Sequence, residues 1–131
     1  MLFKGKVQSG NAAGQLAIAL EGAPDCVVFG RTYHPDGVKT GGAVYIGVRP
    51  EDVEILPASA ATSPPGIIGG MVQAALFIGE RIEYQVDVDG QDSAVIYGER
   101  HMPVEEGSKV WLKLRPDGHT AWSSDWSHKE E

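Results

Sequence analysis

Ile82-Glu83-Tyr84-Gln85-Val86-Asp87-Val88 runs straight into Asp89-Gly90. Ile82, Tyr84, Val86 and Val88 take alternate positions, with Glu83, Gln85 and Asp87 between them. A period of two marks a strand with one buried face. Asp-Gly is a favoured dipeptide of tight hairpins, because its glycine tolerates positive φ. Ser93 to Tyr97 is then the returning strand. Lys109 to Leu114 repeats the alternation, with Val110, Leu112 and Leu114 opposed to Trp111 and Lys113. This register turns Ile82, Tyr84, Val86, Val110, Leu112 and Leu114 inward and sends the Trp111 indole outward.

Outward from this hairpin the chain keeps the same character. Leu2 to Gln8, Gln15 to Glu21, Cys26 to Phe29 and Ala43 to Val48 read as further strands, with Leu16, Ile18 and Leu20 on one face of the second. Arg49-Pro50-Glu51-Asp52 interrupts, since proline has no N–H for a central strand. Acidic residues directly after it suit the positive end of a short helical turn. Val53 to Leu56 then returns to extended chain. Residues 57–65, with Pro64-Pro65, form a surface connection. Gly66 to Ile78 is a strand with a bend expected at Gly69-Gly70. Pro116-Asp117-Gly118 turns the chain, and Thr120 to Trp122 is expected to pair back on the strand before it.

These elements predict an all-β small barrel or sandwich of about eight or nine short strands. No helices alternate with the strands, which excludes a parallel α/β sheet. One domain is expected over residues 1–123, in two β-rich halves, 1–56 and 66–123, joined by 57–65. Residues 124–131 have no apolar period and read as a flexible tail.

Composition narrows the function classes. The chain has 131 residues, enough for one core without staples. Net charge is −7, and the eleven Lys and Arg are scattered, which argues against nucleic acid. Trp111, Trp122 and Trp126 with Tyr84 and Tyr97 could otherwise suggest a base-stacking platform, but no basic stripe lies among them. The single Cys26 cannot form an internal disulfide and reads as a buried small hydrophobe. His34, His101, His119 and His128 lack metal-ligand spacing, so no metal site is expected. No run approaches the about 18 apolar residues of a membrane helix. Gly66, Gly69 and Gly70 precede no helix and read as close packing rather than a phosphate cradle.

An ordered series of short blocks resembles one family. Phe3-Lys4-Gly5-Lys6-Val7 is similar to a Phe-x-Gly-x-Val start, and Ile46-Gly47-Val48-Arg49-Pro50-Glu51-Asp52-Val53 is the sharpest block. Gly69 to Gly79, ending Phe77-Ile78-Gly79, then Tyr84-Gln85-Val86 with Gly90, and Gly107-Ser108-Lys109-Val110-Trp111-Leu112 follow in order. Together they resemble the transport-associated OB domain, TOBE. This domain stands at the C-terminus of ATP-binding subunits of bacterial ABC importers, closest here to those of spermidine/putrescine, iron or sugar-type systems.

The resemblance implies a non-catalytic accessory domain that aids dimerisation and senses a small ligand. It also implies a second copy, the ATPase domain of the same subunit and membrane permease subunits as partners. The location implied is cytoplasmic and peripheral to the inner membrane. Arg49, Pro50, Glu51, Asp52, Phe77, Gly79 and Tyr84 are its motif positions and contact candidates, and Trp111 is the candidate interface residue. The plainer reading of the Arg49 turn is favoured: the carboxylates cap it and Arg49 pairs nearby. Gly-x-x-x-x-Gly-Lys-[Ser/Thr] is missing, so no phosphate loop is present and ATP with magnesium would belong to a separate ATPase domain. Phe3 matches an interior position of such subunits, which suggests a fragment starting just after that domain. The alternative function is an OB domain for a small solute or oxyanion. A single-stranded nucleic-acid binder and a small enzyme rank behind it.

Overall fold

Ten strands build the protein in a computed structural model that describes residues 1–57, 66–100 and 103–123. They are β1 (Leu2–Gly10), β2 (Gln15–Leu20), β3 (Ala23–Arg31), β4 (Ala43–Gly47) and β5 (Val53–Pro57). After the connection come β6 (Ile68–Ile78), β7 (Arg81–Val88), β8 (Ser93–Glu99), β9 (Lys109–Leu114) and β10 (His119–Ser123). The only helical pieces among the described residues are two 3-10 turns, Pro35–Gly37 and Pro50–Asp52. No helix of the described residues is long and apolar enough to cross a membrane. The all-β, OB-like expectation holds. The count exceeds eight or nine because the short return after Pro50 is a full strand, β5.

Strand order follows burial. In β7 the alternate residues Ile82, Tyr84, Val86 and Val88 are all buried, and β8 supplies Ala94 and Ile96 to the same core. β7 and β8 are antiparallel, from Arg81↔Glu99 to Asp87↔Ser93, about the Asp89–Gly90 turn. Only Gly90 of that turn has positive φ, and the Val88 carbonyl accepts the Gln91 N–H. One sheet is a closed barrel in the order β1-β2-β3-β10-β4, and the other is five-stranded in the order β5-β9-β6-β7-β8. Closure leaves the first sheet without an edge.

The chain exchanges strands between the sheets. β5 precedes the 57–65 connection yet pairs with β9, Val53 opposite Leu114. The last strand does not fold back on β9 as the sequence suggested. β10 crosses to the barrel, pairing parallel to β3 and antiparallel to β4, with Ala121 opposite Ile46. Its alternate residues His119 and Ala121 are buried, which only the barrel could provide. The Pro116 carbonyl accepts the Phe29 N–H at 2.8 Å and fixes the crossing.

The expected bend at Gly69-Gly70 is also displaced. The register shift of β6 lies between Val72 and Ala74. The two glycines instead admit close neighbours. A Cβ on Gly69 would come within 2.6 Å of Asp89 Oδ2 and 3.1 Å of the Trp111 ring. One on Gly70 would reach Val86 Cγ1 at 2.7 Å.

The sheets join where two turns meet. Gly22 (φ +86°), after β2, lies against Asp89 and Gly90 (φ +71°), after β7, and a side chain at either glycine would strike the other's backbone. Gln91 bridges them: its Oε1 accepts the Lys4 N–H at 2.6 Å, and its Nε2 donates to the carbonyls of Lys4 and Glu21, each at 2.8 Å.

Candidate functional site

The Arg49–Asp52 turn begins where the barrel ends. Val48 still exchanges backbone hydrogen bonds with Met1. Arg49 is extended (φ −83°, ψ 146°), as a residue before proline must be. Its carbonyl accepts the Asp52 N–H at 2.9 Å, and no side chain caps the turn. The expected capping by carboxylates is therefore replaced by a different arrangement. Asp52 reaches β9: its carbonyl accepts the Arg115 N–H at 2.8 Å, and its carboxylate lies 4.0 Å from Arg115 Nη1. Asp117 flanks the same guanidinium at 3.6 Å. Arg49, expected to pair nearby, has no ion pair among the described residues. Neither have Glu51 and Glu54.

A groove opens beside this turn. The five-stranded sheet curls until its edges, β5 and β8, face each other, and no ladder joins them. Ile55 Cγ2 would lie 3.5 Å from a Cβ on Gly98. The cavity along this seam measures about 580 Å³ and is lined by Glu51–Leu56, Tyr97–Glu99, Val104 and Lys113–Pro116. Four carboxylates thus stand against Lys113 and Arg115, and Arg115 is already held by Asp52 and Asp117. The groove repels small anions and favours cationic groups.

The other motif positions serve different ends. Tyr84 is fully buried; its hydroxyl accepts the Val104 N–H at 2.8 Å and its ring leaves no room for a side chain at Gly98. It shapes the groove's floor from beneath. Phe77 and Gly79 sit at the β6–β7 hairpin tip, outside the groove. Gly79 has φ +59°, and its carbonyl accepts Arg100 Nη1 at 2.6 Å. Leu76, Phe77 and Ile78 are 60%, 57% and 41% exposed, three consecutive apolar side chains on one tip.

Trp111 corrects the outward reading. It is only 5% exposed. Alternation does turn it away from Val110 and Leu112, but that face is covered by Gly69, by the start of β3 from Ala23 to Asp25, and by Lys109, whose Nζ lies 4.8 Å from the ring centre. It has little surface to offer a partner.

A second, cationic cleft escaped the sequence. Arg31 and Arg115 come together with Gln15, Phe29 and Gly118 around about 620 Å³, because β3 and β10 run parallel. Asp117, which flanks Arg115, lines the cleft too, so its cationic character rests on Arg31. Arg31 has no ion pair among the described residues and lies 5.9 Å from the Tyr33 ring centre. Only the pairing of strands distant in sequence reveals this cleft. His119 is buried, with Nε2 2.6 Å from the Arg115 carbonyl. Among the described residues no cluster of His, Cys, Asp and Glu could hold a metal. Cys26 is a buried free thiol, and desolvation raises its pKa. The adjacent Asp25 is exposed and is not the cause. His101, His128 and Trp126 lie outside the described residues.

No curated protein matches the sequence. Among solved structures, the chain is similar to a crystal structure of the cytoplasmic molybdate-binding protein ModG with molybdate bound. The TM-score is 0.67 at 14% identity, over 94% of this chain and 95% of that one. The likeness is one of fold. A family model described as TOBE domain matches residues 46–121, from inside β4 to inside β10. The match takes in the Arg49–Asp52 turn, the groove and both hairpin strands, while the Phe3–Val7 block lies before it. By this match the chain belongs to the TOBE domain family.

Proposed function

We propose that this chain is a non-catalytic accessory domain of the ATP-binding subunit of an import transporter, and that it responds to a small oxyanion. The observation that carries the reading is the family match spanning the Arg49–Asp52 turn. In this role the domain sits on the cytoplasmic side, peripheral to the inner membrane. Its partners are the ATPase domain of its own subunit, the permease subunits and a second copy of itself. ATP and magnesium belong to the ATPase domain.

The oxyanion part draws support from the shared fold with a molybdate-binding protein and from the cationic cleft. The acidic seam disfavours anions, whereas Arg31 has no ion pair among the described residues and stands in a cleft with Arg115, whose own charge is shared with Asp52 and Asp117. Planar guanidinium groups suit oxyanions by geometry as well as charge. Thermal-shift and calorimetric titrations with molybdate, tungstate, sulfate and phosphate test it. At least one of them raises the melting temperature, because a ligand bound only by the folded state stabilises it. Arg31→Ala removes that rise, and ATP with magnesium gives none. A flat response to all four oxyanions rejects the oxyanion reading.

A further inference from the structure

We infer that the β5–β8 seam is a docking groove for an extended, basic segment of a partner protein. Three observations converge there. First, among the described residues β5 pairs only with β9 and β8 only with β7, so two strand edges border one cleft without a ladder between them. The two edges approach within 8 Å, too close for a strand added between them, so an extended peptide lies along the seam and is held chiefly through its side chains. Second, the floor is apolar: Ile55, Leu56, Tyr97 and Val104 are half-buried along it. Third, the rim is acidic, and Glu51 and Glu54 are exposed with no ion pair among the described residues.

Charge on an edge strand also serves to keep copies from pairing edge to edge. That duty alone does not require an apolar floor of about 580 Å³ beneath the charges. An extended segment offers alternate side chains to opposite faces. Apolar ones would settle on Ile55 and Val104, while lysines or arginines at the alternate positions would meet Glu51 and Glu54. An acidic segment would be repelled, so the charge of the rim selects the class of partner.

The test uses the whole chain and a fluorescent peptide of alternating lysine and valine, with an alternating glutamate and valine peptide as control. The basic peptide binds, the acidic one does not, and backbone amide shifts of β5 and β8 move on titration. Glu51→Lys with Glu54→Lys weakens binding by about tenfold or more. Glu51→Gln with Glu54→Gln, which only neutralises the rim, weakens it less, and its melting curve verifies the fold. Raising the salt lowers the affinity of the parent protein. No binding of the basic peptide, equal binding of both peptides, undiminished binding after charge reversal, or shifts confined to other strands overturns the inference.

Discussion

The Cys26 thiol sits in surroundings that displace its proton equilibrium. It faces inward from β3, 2% exposed, among apolar neighbours, and burial disfavours the thiolate. The folded thiol therefore holds its proton more tightly than the unfolded one. Its contribution to stability is complete below the ordinary value of 9.0, and is lost as pH rises from there through the raised folded pKa. Melting temperature in the parent should thus fall more steeply above 9.0 than in Cys26→Ala, whose alkaline slope lacks this component. Parallel slopes would show that the thiol contributes nothing. Native protein should also react with a disulfide reagent far more slowly than protein in urea. The sequence placed this residue well, because an apolar run fixes burial. It did not reveal the cause, since the adjacent Asp25 lies on the exposed side of the strand.

At the level of elements, the hairpin turn and the barrel are held together by Gln91 more than by any apolar contact between turns. Its amide satisfies three backbone groups, on Lys4 and Glu21, across the junction of the sheets. Truncation to Gln91→Ala leaves the partly buried Lys4 N–H without this partner, while the Lys4 carbonyl keeps the Glu21 N–H and the exposed Glu21 carbonyl turns to water. The expected cost is about 1 kcal/mol, from one partly buried donor losing its partner. Urea denaturation measures it, and a change below about 0.5 kcal/mol, the usual size for surface substitutions, would show that water replaces the amide. Nothing in the sequence marked Gln91 out, because its partners are distant along the chain. Local signals did better. Alternation identified β7, β8 and β9, and Pro50 identified the turn before β5. Alternation could not foresee what covers the second face of a strand. Trp111 does turn away from Val110 and Leu112, but the outer side of β9 is roofed by Gly69 and the start of β3. The same limit hid the partners of β10, expected as a strand but on β9, because so short a segment cannot declare a parallel partner, and hid with them the Arg31–Arg115 cleft.

For the whole molecule the question is where a second copy would sit. The proposed role requires a pair, and burial of Trp111 removes the anchor that the sequence suggested. The β6–β7 tip is the candidate for its place in the proposed pair. Leu76, Phe77 and Ile78 project there at 60%, 57% and 41% exposure, although successive strand residues point to opposite faces. Both faces of the tip are therefore apolar, an arrangement costly in water unless covered. Interface centres are rich in such aromatic and aliphatic groups, ringed by polar ones. Arg100 provides part of a ring, its guanidinium 6.0 Å from the Phe77 ring centre. Gly79 at positive φ and the bond from Arg100 to its carbonyl hold the tip in shape without neighbours. Light scattering at tens of micromolar protein should give a dimer mass, and Leu76→Asp with Phe77→Asp should give a monomer that melts close to the parent's monomeric form, since neither side chain is in the core. Trp111→Ala, in contrast, should lower the melting temperature by emptying a covered site, without changing the mass of whatever remains folded. A parent that stays monomeric across a wide concentration range would reject pairing through this chain alone. A tip variant that stays dimeric would move the interface elsewhere on the surface.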